Sequence, residues 1–478
     1  ISTVCLENIM KEDQVKVFES DNIWSSIFKM VVPALIAILV MLIYNMADMV
    51  FVGQTGETAQ VAAISVVGPI FNLIMAVAML ISAGATVIIS SDLGKKDMEH
   101  AKMVSSLSIW SGIICGIIAG MLIIAFNKPI LVFLGATSDI IVYAKNYMLI
   151  LALGAPLLLI SNMLGQVLRA EGAVKEGLVG NLIGTVINII LDPVFILGFG
   201  MGVVGAAIAT VLGNLVATIY YIYYMKNKAI VLNMRLSYAK MNPVYIFSIM
   251  ALGLPNAIST LLSGFANSFA NQLLSKYGSD SIAANAAAGR VNMIIVMILM
   301  GICMGAQPLM SYNYGAGNIK KLSGVIKRLL ILSTSFGLIT AGLVIFFKSA
   351  VISMFLKDPE VAVIAENILT ILMISSPFLG FFYLATNFLQ ATGNALKATI
   401  ISALQKGLLL IPLLFILEYL FGFMGIRCAY VAADFGAIII SCAFLVVEWM
   451  KINDKLKKDN KKEEMKNGTN CDGCIERA

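Results

Sequence analysis

Residues 177–198 read GLVGNLIGTVINIILDPVFILG, and this stretch decides the fold. It is long enough to cross the hydrocarbon core of a bilayer as a helix, because about 20 apolar residues suffice. Inside it lies an aspartate, Asp192, followed directly by Pro193. The stretch therefore predicts a membrane-spanning helix that carries an ionisable group within the bilayer.

The composition of the whole chain indicates an integral membrane protein. Hydrophobic residues make up 59% of its 478 residues and charged residues 13%, with a mean hydropathy of +0.92. A soluble core would not use so much apolar surface. Twelve apolar runs lack the alternation of a β-barrel and predict an all-α polytopic membrane protein with twelve transmembrane helices. These spans, numbered 1 to 12, cover about residues 24–52, 61–91, 103–126, 140–166, 177–198, 203–225, 243–275, 282–312, 325–347, 361–389, 396–420 and 425–450.

The distribution of basic residues predicts the orientation. With the N-terminus inside the cell, most of the 33 Lys and Arg residues are cytoplasmic and Arg290 lies within span 8. This bias predicts a multi-pass protein of the cell membrane with both termini in the cytoplasm. It also explains the net charge of +6, so we expect no nucleic-acid partner. The basic residues on the outer side are Lys128, Lys145, Lys276, Lys348, Lys357 and Arg427.

A weak internal repeat predicts two six-helix lobes. A shift of 222 residues places Pro33 on Pro255, and a shift of 221 places Pro156 on Pro377. Two halves that follow the same backbone path require prolines at matching positions. The alternative is that these matches arise by chance. Six is an even number, so the repeat is parallel, with an axis along the membrane normal. The predicted parts are a cytoplasmic N-terminal segment (1–22), an N-lobe (23–225), a cytoplasmic inter-lobe loop (226–242), a C-lobe (243–450) and a basic cytoplasmic tail (451–478).

Two aspartates distinguish the lobes. The repeat aligns Asp48 with Ala270 and Asp192 with Leu413, so this pair belongs to the N-lobe alone and points to a task of that lobe. At 1.5 Å per residue, both aspartates lie roughly 8 to 9 Å from the outer ends of spans 1 and 5. They are therefore predicted to share one depth in the membrane.

Each aspartate has polar neighbours. Tyr44 and Asn45 lie four and three residues before the first aspartate, Asn188 lies four before the second, and Thr210 reaches a similar depth on span 6. A charge in the bilayer costs at least about 2.5 kcal/mol and normally marks an ion or proton path. The set predicts a site for H⁺ or Na⁺. The alternatives are a headgroup position for the first aspartate and a structural role for the second in a kinked helix.

Four motifs of the chain resemble those of a known family. YNMADMVFVGQTG (44–56), LRAEG (168–172), INIILDPVFILG (187–198) and MGAQPLMSYNYGAGN (304–318) are similar to motifs of the multidrug and toxic compound extrusion (MATE) family. The resemblance covers about residues 20–450 and implies V-shaped lobes, alternating access, and export of organic cations or other amphipathic compounds in exchange for H⁺ or Na⁺. Spans 7 and 10 lack the acids of the NorM-like branch, so the chain resembles the DinF/MepA-like branch more closely. That branch implies an N-lobe site made of Tyr44, Asp48, Asn188, Asp192 and Thr210.

Other polar residues in the spans are candidates for a substrate cavity between the lobes. The alternative for the amides is hydrogen bonding between helices, worth about 0.6 kcal/mol each. The arginine can alternatively extend its charged group to the membrane surface. The candidates are Asn45, Asn162, Asn267, Gln307 and Arg290.

The chain offers little for enzyme chemistry. His100 is its one histidine, which rules out a His-based triad and a multi-His metal site. Cys471 and Cys474 form a lone C-x-x-C pair in the tail, for which an inert role is weighed against a metal or redox role. We expect no enzyme activity and no cofactor besides the coupling ion, H⁺ or Na⁺.

The function predicted is a secondary active efflux antiporter. It would act as a monomer in the lipid bilayer on an amphipathic or cationic small molecule, with its cation site in the N-lobe. A second hypothesis is a flippase for a lipid-linked precursor, which would require a strongly basic cavity; only Arg290 and Lys406 are candidates for one. A sensor or scaffold would not need paired acids at one depth.

Overall fold

The computed structural model describes residues 16–239, 242–356 and 358–472, with side chains described throughout except at 44–50, 58, 279 and 455–472. Within these ranges the chain is helical and contains no strand.

The N-lobe precedes the connection 228–242. Its α6 continues into a π-helical turn, Val194–Gly198, directly after Pro193. Its helices are α1 (Ile23–Gly53), α2 (Thr58–Lys95), α3 (Met98–Ala125), α4 (Asn127–Phe133), α5 (Ile141–Ala170), α6 (Val174–Pro193) and α7 (Val203–Asn227).

The C-lobe follows the connection. A π-helical segment, Leu404–Leu409, joins its α15 to its α16. Its helices are α8 (Pro243–Leu274), α9 (Ser279–Gly305), α10 (Gln307–Gly315), α11 (Ile319–Phe346), α12 (Lys348–Ser353), α13 (Pro359–Leu372), α14 (Ser376–Ala391), α15 (Ala395–Ala403), α16 (Leu410–Phe421) and α17 (Phe423–Asp472).

These helices confirm the predicted membrane spans. In the described ranges, 11 helices are long and apolar enough to cross a bilayer, and α13 and α14, which meet at 49°, make up a twelfth span. Half of the spans precede the connection and half follow it. The last helix, α17, continues to Asp472, past the predicted end of the C-lobe at residue 450.

The break between α13 and α14 distinguishes the two lobes. Pro377 has no backbone N–H, so the carbonyl of Met373 loses its helical donor and the chain bends at residues 373–375. Its counterpart in the repeat, Pro156, lies inside the continuous helix α5. The matched prolines predicted the same backbone path in both lobes, but the bend occurs in the C-lobe only.

The lobes meet at one end of the bundle. At this end α2, α7 and α10 terminate; we call it the basic end because Lys95, Lys96 and Lys226 lie there. One buried hydrophobic cluster contains residues of both lobes, among them Ile81 of α2 and Ile249 of α8. The other clusters of the described side chains each belong to a single lobe. The lobes therefore share a core at the basic end and have separate cores toward the opposite end.

Glycines allow α2 and α8 to touch directly. A Cβ atom added to Gly253 of α8 would lie 1.7 Å from the carbonyl oxygen of Leu80. A Cβ added to Gly84 of α2 would lie 1.9 Å from the carbonyl oxygen of Ile249. Small residues permit such close backbone contact between membrane helices. The contact between α2 and α8 thus depends on the absence of side chains at these two positions.

The inter-lobe connection is held by the N-lobe. The fully buried carboxylate of Glu171 accepts hydrogen bonds from the backbone N–H groups of Ile230 (3.1 Å) and Val231 (3.2 Å). The indole Nε1 of Trp110 donates to the carbonyl of Met234 (3.1 Å). These contacts fix the connection to α3 and α5, so we expect it to move with the N-lobe.

Replacing Glu171 by Ala is expected to release this connection. Two backbone N–H groups would lose their acceptor, which costs about 1–3 kcal/mol when the groups stay buried. We expect faster tryptic cleavage at Lys228 and Arg235, measured by limited proteolysis. Glu176→Ala is the matched control, because Glu176 lies at the same end and accepts a hydrogen bond from Tyr220 rather than from the connection. Equal cleavage rates in the two variants would contradict the role of Glu171.

Candidate functional site

Polar side chains of the N-lobe surround one small cavity. It has a volume of about 110 Å³ and lies among α1, α2, α5, α6 and α7. Three of the residues predicted from the sequence line it: Asn162, Asn188 and Thr210. The other side chains at its wall are Met41, Phe71, Met75, Ser161, Asn181, Thr185, Asn214 and Ala217.

Asp192 lies one helical turn beyond Asn188, at the end of α6. Its side chain is fully buried. Pro193 follows it, and the helix widens into the π-helical turn, a change of backbone geometry that is frequent at functional sites. Beyond this point Ile196 packs with Val52 of α1 and Val203 of α7. A carboxyl group is therefore held inside the lobe, at the end of a cavity-lining helix.

The polar residues of α6 occupy one face of the helix. Asn181, Thr185, Asn188 and Asp192 are spaced by four, three and four residues, which is the period of an α-helix. The sequence prediction used only the last two of these for its cation site. Thr185 was overlooked, although the same spacing was the signal that could have found it.

On the opposite wall, α7 contributes a second pair. Thr210 Oγ1 donates to the carbonyl of Ala206 (2.9 Å), and Asn214 Nδ2 donates to the carbonyl of Thr210 (2.9 Å). A hydroxyl oxygen and an amide oxygen are both groups that can accept a hydrogen bond or coordinate a cation. Asn214 was also overlooked from the sequence, and its four-residue spacing from Thr210 was the available signal.

Buried polar atoms at the cavity lack hydrogen-bond partners. Neither the oxygen nor the nitrogen of the Asn188 amide has one among the described residues, and Asn188 is only 2% exposed. The same is true of Asn181 Oδ1. Buried polar groups are normally satisfied, by protein atoms or by ordered water. The cavity therefore suits water or a small hydrogen-bonding or coordinating ligand.

The size of the cavity decides between an ion and an organic molecule. A pocket for a drug-sized ligand measures about 300–1,000 Å³, well above this one. A water molecule occupies about 30 Å³, so several waters or a partly hydrated ion fit. No basic residue occurs among the described residues of its wall. The arrangement can hold a small cation or relay a proton.

The structure does not describe the side chains of two residues of the predicted cation site and of one substrate-cavity candidate beside them. The cation-site residues are Tyr44 and Asp48 and the cavity candidate is Asn45, all three on α1. The α1 backbone packs against α6, the helix of Asp192. The meeting of Asp48 with Asp192 stays a prediction. Cys471 and Cys474 likewise lie outside the described side chains.

The remaining candidates lie in the C-lobe. Asn267 and Arg290 are exposed. Gln307 is buried, and its Nε2 donates to Oε1 of Gln390 (2.8 Å), whose own Nε2 donates to the carbonyl of Leu252 (3.0 Å). In this conformation Gln307 connects helices of the C-lobe, and its place in a substrate cavity stays a prediction.

Comparison with known sequences identifies relatives along nearly the whole chain. The MatE family model matches residues 33–194 and, a second time, residues 255–416, so its second match begins 222 residues after the first. The multidrug export protein MepA of Staphylococcus aureus (strain NCTC 8325 / PS 47) is 32% identical over 451 residues, which cover 94% of this chain and 98% of that protein. MepA of Staphylococcus saprophyticus is 32% identical over 452 residues, with the same coverage.

Solved structures show the same fold. A crystal structure of MATE in the bent conformation has a TM-score of 0.87 at 22% identity, covering 92% of this chain and 98% of that one. A multidrug resistance MATE family transporter of the MOP superfamily in an outward-facing conformation has a TM-score of 0.86, also at 22% identity, covering 92% of this chain and 98% of that one. At this identity the likeness concerns the fold, and it confirms the two six-helix lobes predicted from the repeat.

Proposed function

Because the chain belongs to the MATE family, we propose that it is a secondary active antiporter that exports amphipathic or cationic small molecules in exchange for H⁺ or Na⁺. The MepA relatives are multidrug export proteins and match this chain over 98% of their own length. This supports multidrug efflux as the transport activity and supports a transporter rather than an enzyme.

The coupling ion binds in the N-lobe in this proposal. The observation that carries it is the fully buried carboxyl group of Asp192, one helical turn from a polar cavity too small for a drug. Burying a charged carboxylate in a membrane costs free energy. A bound cation that neutralises the charge lowers this cost. Asn188 and Thr210 would supply further oxygen ligands or hydrogen bonds.

The backbone after Asp192 is a place where cation binding could change the conformation of the helix. Pro193 removes one helical hydrogen bond, and the following π-helical turn departs from α-helical geometry. A ligand shifts a conformational equilibrium only by its difference in affinity for the two states. We propose that loading the carboxyl group changes the packing of this end of α6 against α1 and α7, and thereby favours one of the two access states.

The described conformation supports release to the outside. In the proposed orientation the basic end faces the cytoplasm. The lobes share their core at that end and have separate cores at the other. Such a conformation would be closed to the cytoplasm, so substrate would leave toward the outer side. The flippase alternative has less support, because it requires a strongly basic cavity, for which the spans offer only Arg290 and Lys406 as candidates.

A transport assay with imposed gradients tests this proposal. Proteoliposomes that contain the full chain would be loaded with a fluorescent amphipathic cation. We expect dye efflux to accelerate when H⁺ or Na⁺ flows inward, and the ion that does so identifies the coupling ion. Vesicles with the gradient collapsed by an ionophore are the control. Dye efflux that ignores both gradients would reject coupled antiport.

A further inference from the structure

Two helices of the C-lobe touch the N-lobe toward the basic end, and their contacts define the face that the C-lobe turns to its partner. Gly253 of α8 lies against the backbone of Leu80 of α2. Gly301 of α9 lies against Ile38 of α1, whose Cδ1 would be 2.5 Å from an added Cβ. Toward the opposite end the lobes have separate cores. The same helix faces, followed toward that end, border the space between the lobes, which we call the cleft.

On α8 this face continues as an exposed polar stripe. Its four exposed residues lie seven, eleven, fourteen and eighteen residues beyond Gly253, which are close to whole numbers of helical turns. The exposed apolar side chains of Leu261 and Phe265 are turned away from this face by roughly 80–120°. No charged residue occurs in α8. The members of the stripe are Thr260, Gly264, Asn267 and Asn271.

On α9 the corresponding face carries a positive charge. Arg290 precedes Gly301 by eleven residues, or three helical turns, so both project from one side of the helix. Arg290 is exposed and lies well inside α9, whereas Asp280, the other charged residue of the helix, lies in its first turn. The face that packs on α1 at Gly301 is therefore open at Arg290, which joins the polar stripe of α8 as the C-lobe wall of the cleft.

The composition of the exposed face indicates that Arg290 borders water rather than lipid. A charged group that faces lipid is costly, and charged residues inside membrane spans normally face a water-filled cavity. Among the described side chains of α9, Met293 is the one large apolar side chain that is exposed. By contrast, α11 exposes six, among them Leu338 and Phe346, as expected of a helix that borders lipid.

The charge of Arg290 is not neutralised within the described C-lobe. Its other spans hold Lys276, Lys348 and Lys397 in ion pairs with glutamates, but Arg290 takes part in none of the ion pairs among the described side chains. A guanidinium group binds a carboxylate or phosphate through two parallel N–H···O hydrogen bonds. The C-lobe wall thus offers neutral amides and a hydroxyl beside one unpaired cation, an arrangement that fits a ligand with an anionic group.

We propose that Arg290 is a substrate-binding residue that recognises an anionic group, such as a carboxylate, on an amphipathic compound. This inference rests on the efflux function proposed above and names a chemical class among its substrates. The guanidinium binds the anionic group, and Asn267 and Asn271 form hydrogen bonds with neutral polar groups of the same compound. A cationic amphiphile without an anionic group gains nothing from Arg290, so this residue favours zwitterionic and anionic compounds over their cationic counterparts.

Binding of a matched pair of dyes tests the role of Arg290. Rhodamine B has an ionised benzoate, and its ethyl ester differs only in that this carboxylate is masked. Their affinities for the purified full-length protein are measured by fluorescence anisotropy, which does not depend on ion coupling or transport. We expect Arg290→Gln to weaken rhodamine B binding about fivefold, the upper range for an ion pair in contact with water, and to leave the affinity of the ester undiminished. Arg290→Lys keeps the charge and should retain most of the affinity.

Lys145→Gln is the matched control, because Lys145 is an exposed basic residue on α5, outside the cleft wall. It should bind both dyes like the unmodified protein. Unchanged rhodamine B affinity in Arg290→Gln would overturn the proposal, as would an equal loss for the two dyes or an equal loss in the control. Absence of rhodamine B binding to the unmodified protein, with binding of the ester intact, would also overturn it and leave the efflux function standing.

A second measurement replaces the variant should Arg290→Gln fail to fold. Salt screens exposed charges, so rhodamine B should bind the unmodified protein more weakly at high ionic strength, whereas its ester should not. Equal salt dependence of the two dyes would then exclude recognition of the carboxylate by Arg290. Failure of the efflux function itself would appear separately, as dye efflux that ignores the imposed ion gradients.

Discussion

Replacing Asp192 by Asn is expected to slow ion-coupled dye efflux strongly while leaving the protein folded. The amide has nearly the same volume as the carboxyl group, so the buried position stays filled. It cannot bind a proton in the pH range of cells, and it brings no negative charge to Na⁺. We expect the initial rate in proteoliposomes to fall about a hundredfold, which corresponds to about 2.7 kcal/mol in the activation free energy of the coupled transport step.

The control for this prediction is a carboxylate with a known structural partner. Glu418 pairs with Lys276 at 3.1 Å, and Glu418→Gln should keep the rate of the unmodified protein. Binding of the dye to Asp192→Asn, measured by fluorescence anisotropy, should persist, because the N-lobe cavity is too small to hold the dye. Unchanged ion-coupled efflux in Asp192→Asn would mean that the carboxyl group only stabilises the bend at Pro193.

The membrane spans could be predicted from the sequence because their determinants are local. Apolar length sets a transmembrane helix, and helical spacing placed Asn188 and Asp192 on one face. The spacing also included Thr185, which the prediction passed over. The sequence could not show whether the backbone at each proline stays helical or breaks. Pro156 and Pro377 match in the repeat, yet only the second lies at a break, since tertiary packing decides whether a proline bends or interrupts a helix.

Contacts between segments that lie far apart along the chain could not be predicted from the sequence, for a different reason. Asp434 and Ser375 are 59 residues apart, and nothing in the local pattern places one beside the other. The sequence prediction treated carboxylates as a property of the N-lobe and did not consider Asp434. Gln307 was expected in a cavity, but its hydrogen bond to Gln390 spans 83 residues and could be found only from the packed lobe.

Replacing Gly253 by Ala is expected to push the lobes apart at the basic end. The added Cβ would lie 1.7 Å from the Leu80 carbonyl oxygen, an atom of the backbone that cannot rotate away. Overpacking of this kind costs about 1–3 kcal/mol, and it acts on the conformation in which α2 and α8 touch. The population of that conformation relative to the one with the lobes separated should therefore fall by a factor of about 5 to 150.

Spin labels on exposed positions of the two lobes measure this change. Lys96 at the end of α2 and Lys320 at the start of α11 are both exposed at the basic end, and labelled cysteines there would be used in a protein with its native cysteines replaced. The distance distribution should shift to longer values in Gly253→Ala. Gly264→Ala is the matched control on the same helix, because a Cβ at Gly264 meets no atom within 4 Å. If both variants give the distribution of the unmodified protein, the contact between α2 and α8 does not control closure, and other contacts at the basic end must hold the lobes together.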